Sequence, residues 1–289
     1  PRTMTNKNSR ARKKAVAARR RGAGLLNVPY IVWAALFIIV PMVIVAMYAF
    51  TDADGAFTLE NLRHLGVYRE NIIDSFIYAI VATVVTLLLA YPFAYFVSKL
   101  REGTQKIVMM LVMLPMWMNM LIMTYSIMNL IEANGIINTV ITSLGGERLQ
   151  MINTPGAVVL GMVYNYFPYM VLPLVSVLSK IDTSLLEAAS DLGSNAPSRF
   201  LRVILPLSIP GVVSGFTMVF VPSVSTFYIA QKLGGANVNM IGDRIEELVK
   251  KPSTIHLGAM LSLVLMIVIL VCIMLMNHFS DDTERGKMV

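Results

Sequence analysis

The chain has 289 residues, 56% hydrophobic and only 14% charged, with a formal net charge of +7 and a mean hydropathy of +0.67. Soluble domains carry about 25% charged residues, so too little polar surface exists here to cover a water-soluble globule, and the chain is expected to fold inside a bilayer. A single cysteine, Cys272, excludes an intramolecular disulfide or a thiolate cluster, and the scattered His64, His256 and His278 begin no H-E-x-x-H pattern, so no metal site is expected.

Residues 1–27 form a basic tail with Arg2, Lys7, Arg10, Arg12, Lys13, Lys14, Arg19, Arg20 and Arg21. Met4 reads as the natural start, and residues 1–3 are set aside. The tail is too basic for a signal peptide, and the apolar run after it has full spanning length with no small-residue cleavage site. It reads as a topology signal, with contact to anionic headgroups as the sharper alternative and no nucleic-acid partner expected.

Apolar runs follow at 28–50, 75–97, 107–131, 155–178, 203–230 and 257–277. Each is long enough to cross a hydrocarbon core of about 30 Å, and lipid satisfies no backbone polar group, so about six transmembrane helices are expected. The fold class is therefore an all-α polytopic bundle, with a transmembrane domain over 28–279 and a short tail over 280–289. Adding Lys99, Arg101, Lys106, Lys180, Arg199, Arg202, Arg285 and Lys287 to the basic tail places about seventeen of the 24 cations on one side. Both termini are thus expected to be cytoplasmic, and the loops bearing Asp52, Asp54, Glu60, Glu70, Glu132, Glu147, Asp243, Glu246 and Glu247 face outward.

The centres of the spans lack Asp, Glu, Lys and Arg, which argues against an ion-coupled carrier or channel, since those commonly set ionisable groups in the membrane. What could touch a solute is aromatic or amide. Trp117 and Asn119 lie in the third run, and Tyr164, Tyr166 and Tyr169 in the fourth, where Pro168 and Pro173 can bend the helix. Phe227 and Tyr228 end the fifth, and Gln231 follows. Each ring face attracts a cation by about 0.5 to 2 kcal/mol, whereas the plainer reading makes the same rings packing or interfacial groups. The 21 methionines, dense over 109–128 and 260–276, suit helices that repack better than they suit copper, because no histidine accompanies them.

Between the fourth and fifth runs lies a cytoplasmic stretch, 180–202, that reads as two short helices. Ser184 with Glu187 forms a capping box, Asp182 and Thr183 being alternative caps, and Leu185, Leu186, Ala188, Ala189 and Leu192 continue an apolar face. Gly193 is placed to end this helix in the left-handed conformation. Ser194 or Asn195 can cap a second helix starting near Pro197.

The string Glu187-Ala188-Ala189, three residues, Gly193, nine residues, Val203, one residue, Leu205-Pro206 resembles the EAA motif of ABC importer permeases. Tyr91 to Phe96, Leu185 to Gly193 and Phe227-Tyr228 shortly before Gly234-Gly235 are similar to the spermidine/putrescine members of that family, the PotB type. The resemblance implies a type I ABC importer permease fold, with 180–202 as the coupling loop that docks on an ATPase through Glu187, Ala188, Ala189, Gly193, Leu205 and Pro206. It also implies a second related permease, two ATPase subunits carrying ATP and Mg, an extracytoplasmic solute-binding protein and a polyamine cargo. Permeases for other small solutes share the same local strings. The chain itself shows no G-x-x-x-x-G-K-[ST] loop and no G-x-S-x-G elbow, so it is expected to be a transport subunit and not an enzyme.

Overall fold

The computed structural model describes residues 28–52 and 54–285. The basic tail, Lys287 and the end of the expected C-terminal tail lie outside the described residues. Among the described residues, six segments are long and apolar enough to cross a membrane: Pro29–Ala49, Glu60–Ser98, Met120–Ser143, Pro155–Leu178, Ala196–Ser225 and Ile255–Met276. The main helices are α1 (Pro29–Ala49), α2 (Arg69–Ser98), α3 (Glu102–Trp117), α4 (Met120–Ile131), α5 (Ile136–Ser143), α6 (Pro155–Leu178), α7 (Thr183–Asp191), α8 (Ala196–Arg199), α9 (Leu205–Ser225), α10 (Ile241–Val249) and α11 (Ile255–Arg285). α11 carries helix past residue 280, where a tail was expected.

Two expected spans are interrupted. The run 107–131 is split between α3 and α4, because Met118 and Asn119 are both extended and the Asn119 side chain accepts the Leu121 N–H at 2.7 Å. An asparagine that offers its own oxygen to a helix start competes with the continuing helix, and the candidate crossing begins after it, at Met120. The run 203–230 also stops early. Extended Thr226 closes α9, and the chain then re-forms a wider turn over Ala230–Gly234.

The core is the packing of α2, α6 and α9. Helices gain nothing from hydrophobicity against one another in lipid, so close approach through small side chains holds them together. Ala82, Ala90 and Ala94 of α2 are fully buried. On α9, a Cβ at Gly215 would stand 2.6 Å from Met170 Sδ of α6, so any larger residue there would force the buried Met170 side chain to shift. Two buried hydroxyls of α2 are satisfied within that helix, Thr83 donating to Ala79 O and Thr86 to Ala82 O, both at 2.6 Å. Between α2 and α9 a buried bond joins the Tyr91 hydroxyl and Ser208 Oγ at 2.7 Å. α1 stays at the periphery, packing Ala49 beside Ala259 and Met260 of α11 and leaving most of its apolar surface exposed.

Candidate functional site

The loop between α6 and α9 is a tightly tied hairpin. Of the alternative caps, Asp182 takes the position: its carboxylate accepts the Ser184 N–H at 2.9 Å, which holds its pKa below the ordinary aspartate value. α7 ends at Gly193 with φ of +81°, where the Gly193 N–H meets Ser190 O at 2.8 Å and the Ser194 N–H meets Ala189 O at 3.0 Å. That pair of bonds closes a helix only when the residue after the cap is left-handed, which glycine adopts without a Cβ clash. Asn195, not Ser194, caps α8 by accepting the Ser198 N–H at 3.0 Å.

Arg199 joins the two helices. Its guanidinium donates to Ser190 Oγ, and Ser190 Oγ donates to Leu186 O at 2.9 Å. Immediately after it, the Phe200 ring packs edge-on against Tyr91 at 5.6 Å and Tyr95 at 6.4 Å. The hairpin is therefore braced within itself and seated on α2. Leu205 and Pro206 begin α9 half-buried beneath it. Glu187 and Ala188 are exposed, Ala189 is half-buried, and Leu192 is 87% exposed.

The aromatic and amide residues expected along a solute path fall in separate places. Tyr164 lines an apolar groove of about 450 Å³ with Phe93, Pro115 and Phe167, while Trp117 stands 77% exposed at the end of α3. Tyr166 is buried, its hydroxyl donating to Pro222 O at 3.4 Å and its ring 6.2 Å from half-buried Tyr169. Those two tyrosines pack helices. Phe227 lines a second cavity, of about 480 Å³, together with Gly242, Ile245, Glu246 and Leu265.

Tyr228 and Gln231 lie in the turn beyond α9. Gln231 Nε2 donates to Asp243 Oδ1 and, at 2.9 Å, to Glu246 Oε2 of α10. The Lys250 ammonium beside Glu246 holds that carboxyl below the usual glutamate range, with the Gln231 bond acting in the same direction. α10 is itself fastened to the start of α2, where Asn71 donates to Asn239 O at 2.8 Å and Ser75 Oγ accepts the Ile241 N–H at 2.7 Å. Among the described residues no group of three His, Cys, Asp or Glu is placed to hold a metal ion.

Residues 16–283 match the family described as the binding-protein-dependent transport system inner membrane component. The chain belongs to that family. It is 38% identical over 224 residues to the spermidine/putrescine transport system permease protein PotB of Haemophilus influenzae, spanning 74% of this chain and 78% of that protein. Against PotB of Escherichia coli the identity is 35% over 224 residues, with 74% and 82% covered. The fold matches the crystal structure of a bacterial ABC transporter involved in the import of the acidic polysaccharide alginate, with a TM-score of 0.74 at 16% identity over 94% of this chain and 99% of that one.

The permease is accordingly a multi-pass inner-membrane subunit of a binding-protein-dependent ABC transporter, and in its family ATP hydrolysis belongs to a separate subunit. Its sequence pointed to Tyr228 and Gln231 but not to Tyr125, Lys232 or Asp243 as their immediate company. Lys232 was the available signal, as the one cation in the short stretch between Phe227 and Gly234.

Proposed function

We propose that this permease carries polyamines inward, and that its α7–α8 hairpin converts the closure of partner ATPases into alternating access. The observation that carries the coupling role is the hairpin itself, braced through Arg199 and Ser190 and exposing Glu187, Ala188 and Leu192. An internally tied lever transmits displacement, where a floppy loop absorbs it. Phe200 against Tyr91 and Tyr95 gives that displacement a route into α2, and the short connection to Leu205 and Pro206 a route into α9. Relatedness to the PotB proteins supports the cargo class.

In this reading the permease pairs with a second related permease around a central path. Two ATPases holding ATP and Mg dock on the cytoplasmic face at Glu187, and a solute-binding protein delivers cargo at the opposite face. Both termini lie on the cytoplasmic side with the hairpin, lipid surrounds the exposed apolar faces, and nucleic acid has no part. The polyamine meets Phe227, Tyr228 and Gln231 at the outer mouth; Tyr164 and Trp117 stay candidates at the other groove, and Tyr166 and Tyr169 frame the path from behind.

The test is uptake of labelled putrescine and spermidine into proteoliposomes carrying the full complex and its binding protein. ATP-dependent accumulation is expected. Accumulation of neither solute would remove the cargo class, and accumulation without ATP would remove the importer mechanism.

A further inference from the structure

Two neighbouring side chains in the turn after α9 face different partners. Gln231 is engaged by Asp243 and Glu246, and Glu246 is also paired with Lys250. Lys232 turns to α4 instead. Its Nζ lies 5.5 Å from the centre of the Tyr125 ring and 5.8 Å from that of the Tyr228 ring. Both distances fall within the roughly 6 Å at which a ring face attracts an ammonium. Among the described residues Lys232 forms no ion pair with a carboxylate, so its charge is met by the two tyrosines, through their ring faces and the Tyr125 hydroxyl beside its ammonium.

The chemistry of the occupant is informative. A lysine side chain is a four-carbon stem ending in a primary ammonium, which is the same group as one end of a diaminobutane. Tyr125 is 41% exposed and Tyr228 half-buried, so the rings are reachable from outside the chain as well as from within it. From this geometry we infer that Tyr125 and Tyr228 form a subsite for a primary alkylammonium group, which Lys232 fills and which an incoming cation takes by displacing it.

An incoming ammonium regains against the rings the contacts that Lys232 gives up but must displace a tethered competitor, so it is held weakly and can be passed onward without being trapped. The inference deepens the polyamine reading and rests on it for the natural ligand, but the subsite can be tested without transport.

The probe is n-butylammonium, with n-butanol as the uncharged control, observed by saturation-transfer NMR on the purified, detergent-solubilised complex. Lys232→Met keeps the length of the stem and removes the charge. It is expected to raise the butylammonium signal by about threefold or more over the unmodified complex and to leave butanol unchanged. In that background Tyr125→Leu or Tyr228→Leu removes the gain, whereas Tyr228→Phe, which keeps the ring face and its packing, retains it. No gain on Lys232→Met, a gain that survives loss of both rings, or a gain lost in Tyr228→Phe would each overturn the subsite. Failure of the unmodified complex to take up putrescine or spermidine would sink the polyamine reading alone and leave the probe result standing; polyamine uptake with no probe gain does the reverse.

Discussion

The inner hairpin and the outer mouth flank the same helix, α9, yet they are held in opposite ways. The hairpin is tied by bonds between near neighbours in sequence, such as Arg199 to Ser190 nine residues apart and Ser198 to Asn195 three apart. The mouth is assembled from distant segments: Asn71 and Asn239 are 168 residues apart, and Ser75 and Ile241 are 166 apart. A locally tied element moves as a unit, whereas one assembled from several helices changes shape when those helices shift. Under the proposed function, force would enter at the stiff part and cargo at the adjustable one.

The largest expected effect breaks the stiff part. Gly193→Val forces a β-branched residue to a φ of +81°, where left-handed backbone costs roughly 1 to 2 kcal/mol for any residue with a Cβ and more for a branched one. Uptake should fall by about tenfold or more while the helices still insert, measured as uptake per complex recovered by co-purification. Gly215→Leu should come next, and on a different observable. Its side chain would enter the space of Met170 Sδ, and overpacking of that kind costs about 1 to 3 kcal/mol, seen as a lower melting temperature and yield.

A pair of tyrosine variants sharpens the contrast. Tyr228→Leu removes a ring that faces a cation and should reduce uptake per assembled complex several-fold. Tyr166→Leu removes a buried ring and its hydroxyl bond to Pro222 O, so it should lower thermal stability with little change in uptake per complex. Equal effects of the two on uptake would erase the distinction between path and packing. Asn195→Ala should act more weakly, since loss of an N-cap costs about 1 kcal/mol and frays only α8.

The smallest effect is a pH dependence of α10. Glu246 and Glu247 are held below the usual glutamate range, first by bonds from Lys250 and Lys251 respectively. A carboxyl depressed in the folded state contributes stability above its unfolded pKa, and that contribution is lost as pH falls through the folded value. Melting curves should therefore be flat near neutral pH and drop slightly in acid, and Lys250→Ala with Lys251→Ala should flatten that drop. The pairs are largely exposed, so salt should have the same flattening effect.

The same difference explains what the sequence made legible. Gly193 could be assigned from residue type and spacing, because a left-handed turn depends on a few adjacent residues, whereas the caps were narrowed only to alternatives: Asp182 takes the place expected of a Ser184–Glu187 capping box, and Asn195 is chosen over Ser194. The six spans were legible from apolar length, although the break at Asn119 and the early end of α9 at Thr226 were not, since both lie inside runs of uniform hydropathy. Tyr125, Lys232 and Asp243 were silent as a group. The approach of Lys232 to Tyr125, and of Asp243 to Gln231, depends on how α4, α9 and α10 pack, and no local pattern encodes that packing. Tyr166 looked like its neighbour Tyr164 in the sequence, and only helix packing separated a buried ring from an exposed one.

The central claim is that the braced, exposed hairpin couples ATP hydrolysis to import. The most direct measurement is the ratio of polyamine molecules accumulated to ATP hydrolysed by the full complex in proteoliposomes, compared between the unmodified permease and Glu187→Lys, a charge reversal on the exposed face of α7. The account predicts that the variant still assembles, as judged by co-purifying ATPase, while the ratio falls about tenfold or more. An unchanged ratio in an equally assembled complex would contradict it.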